Sequence, residues 1–105
     1  MALHKGDIGT YFRWTVYENA PVDVSAATKK QVKFIRPDGT QMTKTLVFST
    51  KSSDKGDGTD GRVEYVSITG DLNQIGTYRW ALYFEMPGWS GNGLEGTFTV
   101  DNTLF

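Results

Sequence analysis

The sequence predicts an all-β fold, a two-layer antiparallel β-sandwich in a single domain over residues 1–105. Three observations predict it. Apolar residues recur at a period of two along most of the chain, clusters of Gly with Asn or Asp interrupt them at short intervals, and no stretch shows helical periodicity. A chain of 105 residues is large enough for one core and too short for a second domain, burying roughly two thirds of its unfolded surface. A small closed barrel satisfies the same local pattern and is the alternative architecture.

Taken in order, the first strand runs from Ile8 to Glu18. Ile8, Thr10, Phe12, Trp14 and Val16 form its core face, and Tyr11, Arg13, Thr15 and Tyr17 its outer face. The segment NAPVDVSAATKK follows. Pro21 lacks a donor and Ala26 to Lys30 have weak β propensity, so an irregular crossover or edge segment is expected there rather than a central strand. In QVKFIRPDGTQMTKTLVF, Val32 and Phe34 share a face before a hairpin turn at Pro37, Asp38 and Gly39. Met42, Lys44, Leu46 and Phe48 share a face of the return strand. Lys44 therefore lies near an edge or extends its ammonium past the core rim.

Residues 49–61, STKSSDKGDGTDG, contain no apolar side chain and read as a mobile loop. RVEYVSI resumes as a strand with Val63 and Tyr65 alternating against Glu64 and Val66. The longest strand is Thr77 to Met86, with Tyr78, Trp80, Leu82, Phe84 and Met86 on one face and Thr77, Arg79, Ala81, Tyr83 and Glu85 on the other. PGWSGNG reads as a second turn, and LEGTFTV as the final strand, with Leu94, Phe98 and Val100 facing one way. Short turns plus one crossover fit a sandwich of the immunoglobulin type.

The turn before the longest strand carries its own signal. In DLNQIGTY, Asp71 is placed to accept backbone amides at the start of a short helical turn, which Gly76 ends. Tyr78 is positioned for a tyrosine corner, in which its hydroxyl bonds the upstream backbone. Trp80 occupies the place a core cysteine takes in antibody domains, and is expected to fill it by leaning on Trp14 or Phe12.

Eleven basic and twelve acidic residues give a net charge of -1, without the basic footprint of a nucleic-acid or anionic-membrane binder. No apolar run approaches the length of a membrane span. The N-terminal MALHKGDIG lacks the charged and long apolar regions of a signal peptide, so folding in a cytoplasm is expected.

Catalytic chemistry finds few carriers. Cysteine is absent and His4 is the one histidine, placed in the N-terminal tail, which removes Cys/His nucleophiles and leaves zinc short of ligands. Glu64, Glu85, Glu95 and Asp101 read as surface charges on outward faces or strand ends. Asp54, Asp57 and Asp60 are spaced by three, unlike the alternate spacing of an EF-hand loop. No catalytic residue, metal site or cofactor is expected.

What remains is surface. Trp89 is either folded back over the sandwich end or exposed at a loop tip, where it is a candidate for contact with a protein partner or a glycan. Tyr11, Tyr17 and Tyr83, with Arg13 and Arg79 between them, form a contact patch if the first and longest strands share a sheet; otherwise they are ordinary β-surface tyrosines. Leu104 and Phe105 are a terminal apolar pair that fray unless docked on this domain or on a neighbour.

The runs KGDIGTYFRWTVYENAPVDVSAA, VKFIRPDGT, DLNQIGTYRWALYFE and GTFTV, in that order, resemble the N-terminal immunoglobulin-like domain of tailed-phage baseplate upper proteins and related small phage virion proteins. The resemblance covers most of the chain. It departs at Ala26, where the family pattern prefers Gly, and at Phe105, where baseplate upper proteins continue into helices and a docking or receptor-binding part. The resemblance implies no catalytic residues. It implies a virion structural protein, made in the host cytoplasm, that joins other phage structural proteins in multiple copies on the baseplate, tail, neck or capsid. A carbohydrate-binding module holding the particle to surface glycans is the alternative, motivated by Trp89 and the outer tyrosines.

Overall fold

The computed structural model describes residues 3–16, 22–49 and 56–102. Eight strands appear in it: β1 (Leu3–His4), β2 (Tyr11–Thr15), β3 (Lys29–Ile35), β4 (Gln41–Thr45), β5 (Val47–Phe48), β6 (Arg62–Val66), β7 (Gly76–Met86) and β8 (Trp89–Asp101). They form two sheets, a five-stranded one ordered β1-β8-β7-β3-β4 and a three-stranded one ordered β2-β6-β5. Every ladder is antiparallel except β1 on β8, where Leu3 pairs with Val100 and His4 with Asp101. His4 thus sits in a short strand and not in a frayed tail.

The alternation read from the sequence determines which residues meet between the sheets. Val32 and Phe34 of β3, Leu82 and Phe84 of β7, and Val63 of β6 are buried in one cluster with Val16, Val24 and Leu46. Aromatic rings fill the rest: Phe12 lies 5.5 Å from Phe34 and 5.0 Å from Phe98 by ring centroid. Trp80 packs on Trp14 at 5.2 Å, the partner expected of it, although Trp80 is half-buried rather than enclosed. Such tilted contacts suit the ring quadrupoles and add to the area buried.

Several turns take the geometry their residues favour. Arg36 and Thr40 close the β3–β4 hairpin around Pro37, Asp38 and Gly39. The Asp38 carboxylate accepts the Thr40 amide at 2.9 Å. Between β7 and β8 the loop is Pro87-Gly88, with Gly88 at φ +81°, the residue pair a type II turn uses. Trp89 to Gly93 are consequently strand residues of β8, not turn residues. The short loop and the sustained ladder absorb them.

Other expectations are corrected by long-range pairing. Ile8 is 64% exposed, because the chain leaves β1 on one sheet and only begins β2 on the other at Tyr11. Lys29 and Lys30 open β3, which is central, between β7 and β4. Their charges are accommodated by Glu85 at 3.3 Å from the Lys29 ammonium and by the Phe48 ring under Lys30. The return strand after the PDG turn divides at Leu46 into β4 and β5, one in each sheet. Both sheets face the same core, so the inward sense of Met42, Lys44, Leu46 and Phe48 survives the corner.

The described part of the 49–61 loop is packed. Ser49 is fully buried, Val24 donates its amide to the Gly58 carbonyl, and Gly58 lies against the Phe48 ring. Asp54 lies outside the described residues. Asp57 and Asp60 cap their own loop, accepting the amides of Thr59 and Arg62.

Candidate functional site

The corner before β7 concentrates the polar chemistry. The Tyr78 hydroxyl, fully buried, accepts the Gln74 amide at 3.2 Å and donates to the Asp71 carbonyl at 3.4 Å. The expected hydroxyl-to-backbone corner is present. No helical turn forms at residues 71–74, and the Asp71 carboxylate turns backward rather than forward. It accepts the Ile68 amide at 2.9 Å, the Tyr65 hydroxyl, and the Lys44 ammonium at 3.1 Å.

Burial alone would raise the Asp71 carboxyl, but the Ile68 amide, the Tyr65 hydroxyl and the Lys44 ammonium outweigh it and hold the group below its usual range. Burial, reinforced by the Asp71 carboxylate, pushes the Tyr65 phenol up. Lys44 satisfies both halves of its expectation: β4 is an edge strand, and its ammonium reaches across to the rim. With its carboxylate bonded by three donors, Asp71 ties β4, β6 and the corner together.

The predicted contact residues are dispersed. Tyr11 is 54% exposed on the three-stranded sheet, with the Arg13 guanidinium 4.4 Å from its ring centroid. Tyr83 is half-buried on β7 of the other sheet, paired with Gln31 and Asn92. Arg79 is on β7 too, so the tyrosine and arginine patch is not assembled: its members belong to two sheets that present opposite outer faces. Tyr17, Leu104 and Phe105 lie outside the described residues. Trp89 opens β8 opposite Met86. Of the carboxylates read as surface charges, Glu85, Glu95 and Asp101 are at least partly exposed, but Glu64 is only 6% exposed. It sits between Arg13 and Val47 in the middle strand of its sheet.

Two features went unrecognised in the sequence. On the outer face of the five-stranded sheet, Ala81 is flanked across the ladders by Lys33 and Glu95. The small side chain leaves a shallow depression of about 250 Å³ walled by Ile35, Lys33, Arg79, Glu95 and Thr97. A register shift in β8 falls beside it, between Ala81 and Tyr83, as bulges often do where a surface is re-aimed. The other feature is the edge of β2, which no described strand pairs. The first is detectable only once the neighbours of Ala81 are known. The second is detectable only once the chain before β2 is seen to pair elsewhere.

Among the described residues no group of three or more His, Asp or Glu side chains is placed to hold a metal ion. No protein-family model and no curated protein matches the chain.

Proposed function

We propose that the chain is an immunoglobulin-like, non-enzymatic structural module of a bacteriophage virion, attached in multiple copies to a larger virion component. The Tyr78 corner carries the reading. It lies in DLNQIGTY, one of the runs on which the resemblance to phage immunoglobulin-like domains rests, and its hydroxyl contacts the Asp71 carbonyl. Strand order adds support: β8-β7-β3-β4 over β2-β6-β5 corresponds to G-F-C-C′ over B-E-D of a variable-type immunoglobulin sandwich. In that correspondence Trp14 and Trp80, in contact at 5.2 Å, stand where the inter-sheet disulfide of antibody domains would be.

Attachment by such a module needs surface and no reacting groups, and multiple copies on a symmetric particle suit a small domain with modest single-site contacts. Synthesis in the host cytoplasm and residence in the virion follow from this role. Mass spectrometry of purified particles is the test. The protein is expected among the particle components, and its absence there overturns the proposal.

A carbohydrate-binding module is the second reading, favoured by the depression at Ala81 with Tyr83 two residues further along the same face. Glycan binding that is lost in Tyr83→Ala supports it; binding unaffected by that change removes this face from consideration.

A further inference from the structure

The two sheets end in four edge strands, β1, β4, β2 and β5. β1 and β5 are two residues long, too short to template a partner. β4 has five residues, but its inward Lys44 ammonium is fixed on Asp71, and an inward-pointing charge on an edge strand is a recognised guard against edge pairing. β2 has five residues, YFRWT, with no proline, no bulge in its register with β6 and no inward charge, since Phe12 and Trp14 point into the core.

Its backbone polarity follows from the ladder. The Val16 amide bonds the Gly61 carbonyl at 2.8 Å, and the Thr10 carbonyl accepts the Ser67 amide at 2.9 Å. Bonded pairs alternate in an antiparallel ladder. Even-numbered residues of β2 therefore bond β6, and Tyr11, Arg13 and Thr15 direct their N–H and C=O groups away from it. No described residue meets them. Unpaired donors and acceptors at every second residue match one chemical object, the backbone of another extended strand.

We propose that the β2 edge is the attachment surface, and that it takes an extended segment of a partner protein carrying an acidic residue opposite Arg13. The inference rests on reading the chain as an attachment module. The charge follows from Arg13, which is exposed at the middle of the strand on its outer face: Glu64 of β6 stands opposite it on the paired side, and on the open side a cross-strand carboxylate is favoured over a like charge. The same rule disfavours a second copy of this chain. Full antiparallel overlap of two β2 strands sets Arg13 against Arg13, and a shift of two residues leaves only three residues overlapped, Tyr11 to Arg13 or Arg13 to Thr15. On that outer face Tyr11 and Arg13 are already stacked, at 4.4 Å, which orders the guanidinium before a partner arrives.

The test is an amide NMR titration of the full chain with the synthetic peptide acetyl-Ser-Thr-Val-Glu-Val-Thr-Ser-amide, alongside the same peptide with Lys in place of Glu. The Glu peptide is expected to shift the Tyr11, Arg13 and Thr15 amides saturably at millimolar concentration and to slow their exchange. The Lys peptide should bind about two- to fivefold more weakly. Arg13→Glu should reverse that preference, and Arg13→Pro, which removes an outward donor without touching a bond to β6, should abolish binding. No saturable change at these three amides, changes confined to β4, a peptide preference indifferent to Arg13→Glu, or dimerisation of the chain alone through β2 would each overturn the proposal. The chain's presence in purified particles is decided separately, so failure of the edge and failure of the virion reading are distinguishable.

Discussion

Replacing Tyr78 by Phe isolates the corner hydroxyl from everything else the residue does. The ring stays where it is, stacked on Phe98 at a centroid distance of 5.1 Å and an interplanar angle of 14°. What is lost is the acceptor for the Gln74 amide at 3.2 Å and the donor to the Asp71 carbonyl at 3.4 Å. Each bond contributes about 0.5–1.5 kcal/mol net, and an amide stripped of its partner in a dry site costs about 1–3 kcal/mol. Both distances are long for hydroxyl bonds, and Gln74 is half-buried, so water partly replaces the lost acceptor. The expected destabilisation is about 2 kcal/mol, or a fall in Tm of about 8–16 °C for a domain of this size. Urea melts with an unchanged slope measure it directly. A loss below about 0.5 kcal/mol would refute the reasoning, because the corner would then be held by Asp71 and not by the hydroxyl.

Trp80→Ala should cost about 3 kcal/mol in the same melts, near the lower end for a large aromatic because Trp80 is half-buried, with the loss coming from its contact on Trp14. Gly96→Ala places a Cβ 2.7 Å from the Trp80 ring and should cost about 1–3 kcal/mol by overpacking. In a Trp80→Ala background the same change should be nearly neutral, and a double-mutant cycle checks that coupling. Asp71→Asn should cost about 2 kcal/mol at neutral pH, less than a fully buried pair because the Lys44 side chain is 24% exposed. The Asp71 carboxyl is held below its usual value in the fold, so the native state binds fewer protons than the unfolded one near that value. Its contribution is present above about pH 4 and lost as pH falls through the folded value. Melts of the two proteins should therefore converge in acid, and a gap that stays constant down to pH values well below that range counts against the assignment.

Much of the interior was legible residue by residue. Tyr78, Leu82 and Phe84 on one side of β7, Val32 and Phe34 on β3, and the PDG turn all follow from a period of two punctuated by turn residues, and each is found as expected. The surface was legible far less well. The proposed patch of Tyr11 and Tyr83 failed because outward facing is a local property while membership of a sheet is not. Glu64 was read as a surface charge because alternation gives its side of the strand, yet it is 6% exposed on a middle strand between β2 and β5. Its burial depends on neighbours supplied from elsewhere in the chain. Trp89 was misplaced for a related reason: Gly and Asn lower strand propensity locally, but the pairing of the thirteen-residue β8 along β7 overrides it.

Alone, the sequence determined an all-β chain, the inward residues of β3 and β7 and the tyrosine that closes the corner, because backbone geometry turns alternation and turn chemistry directly into faces and bends. Only the tertiary structure decided which strands share a sheet, that β4 and β5 part at Leu46, that Asp71 turns back to Lys44 and Tyr65, and that β2 lies at an edge unpaired by any other described strand. Those outcomes are settled by ladders between residues far apart in the chain, and the choice among partners is a property of the closed fold that no single segment carries.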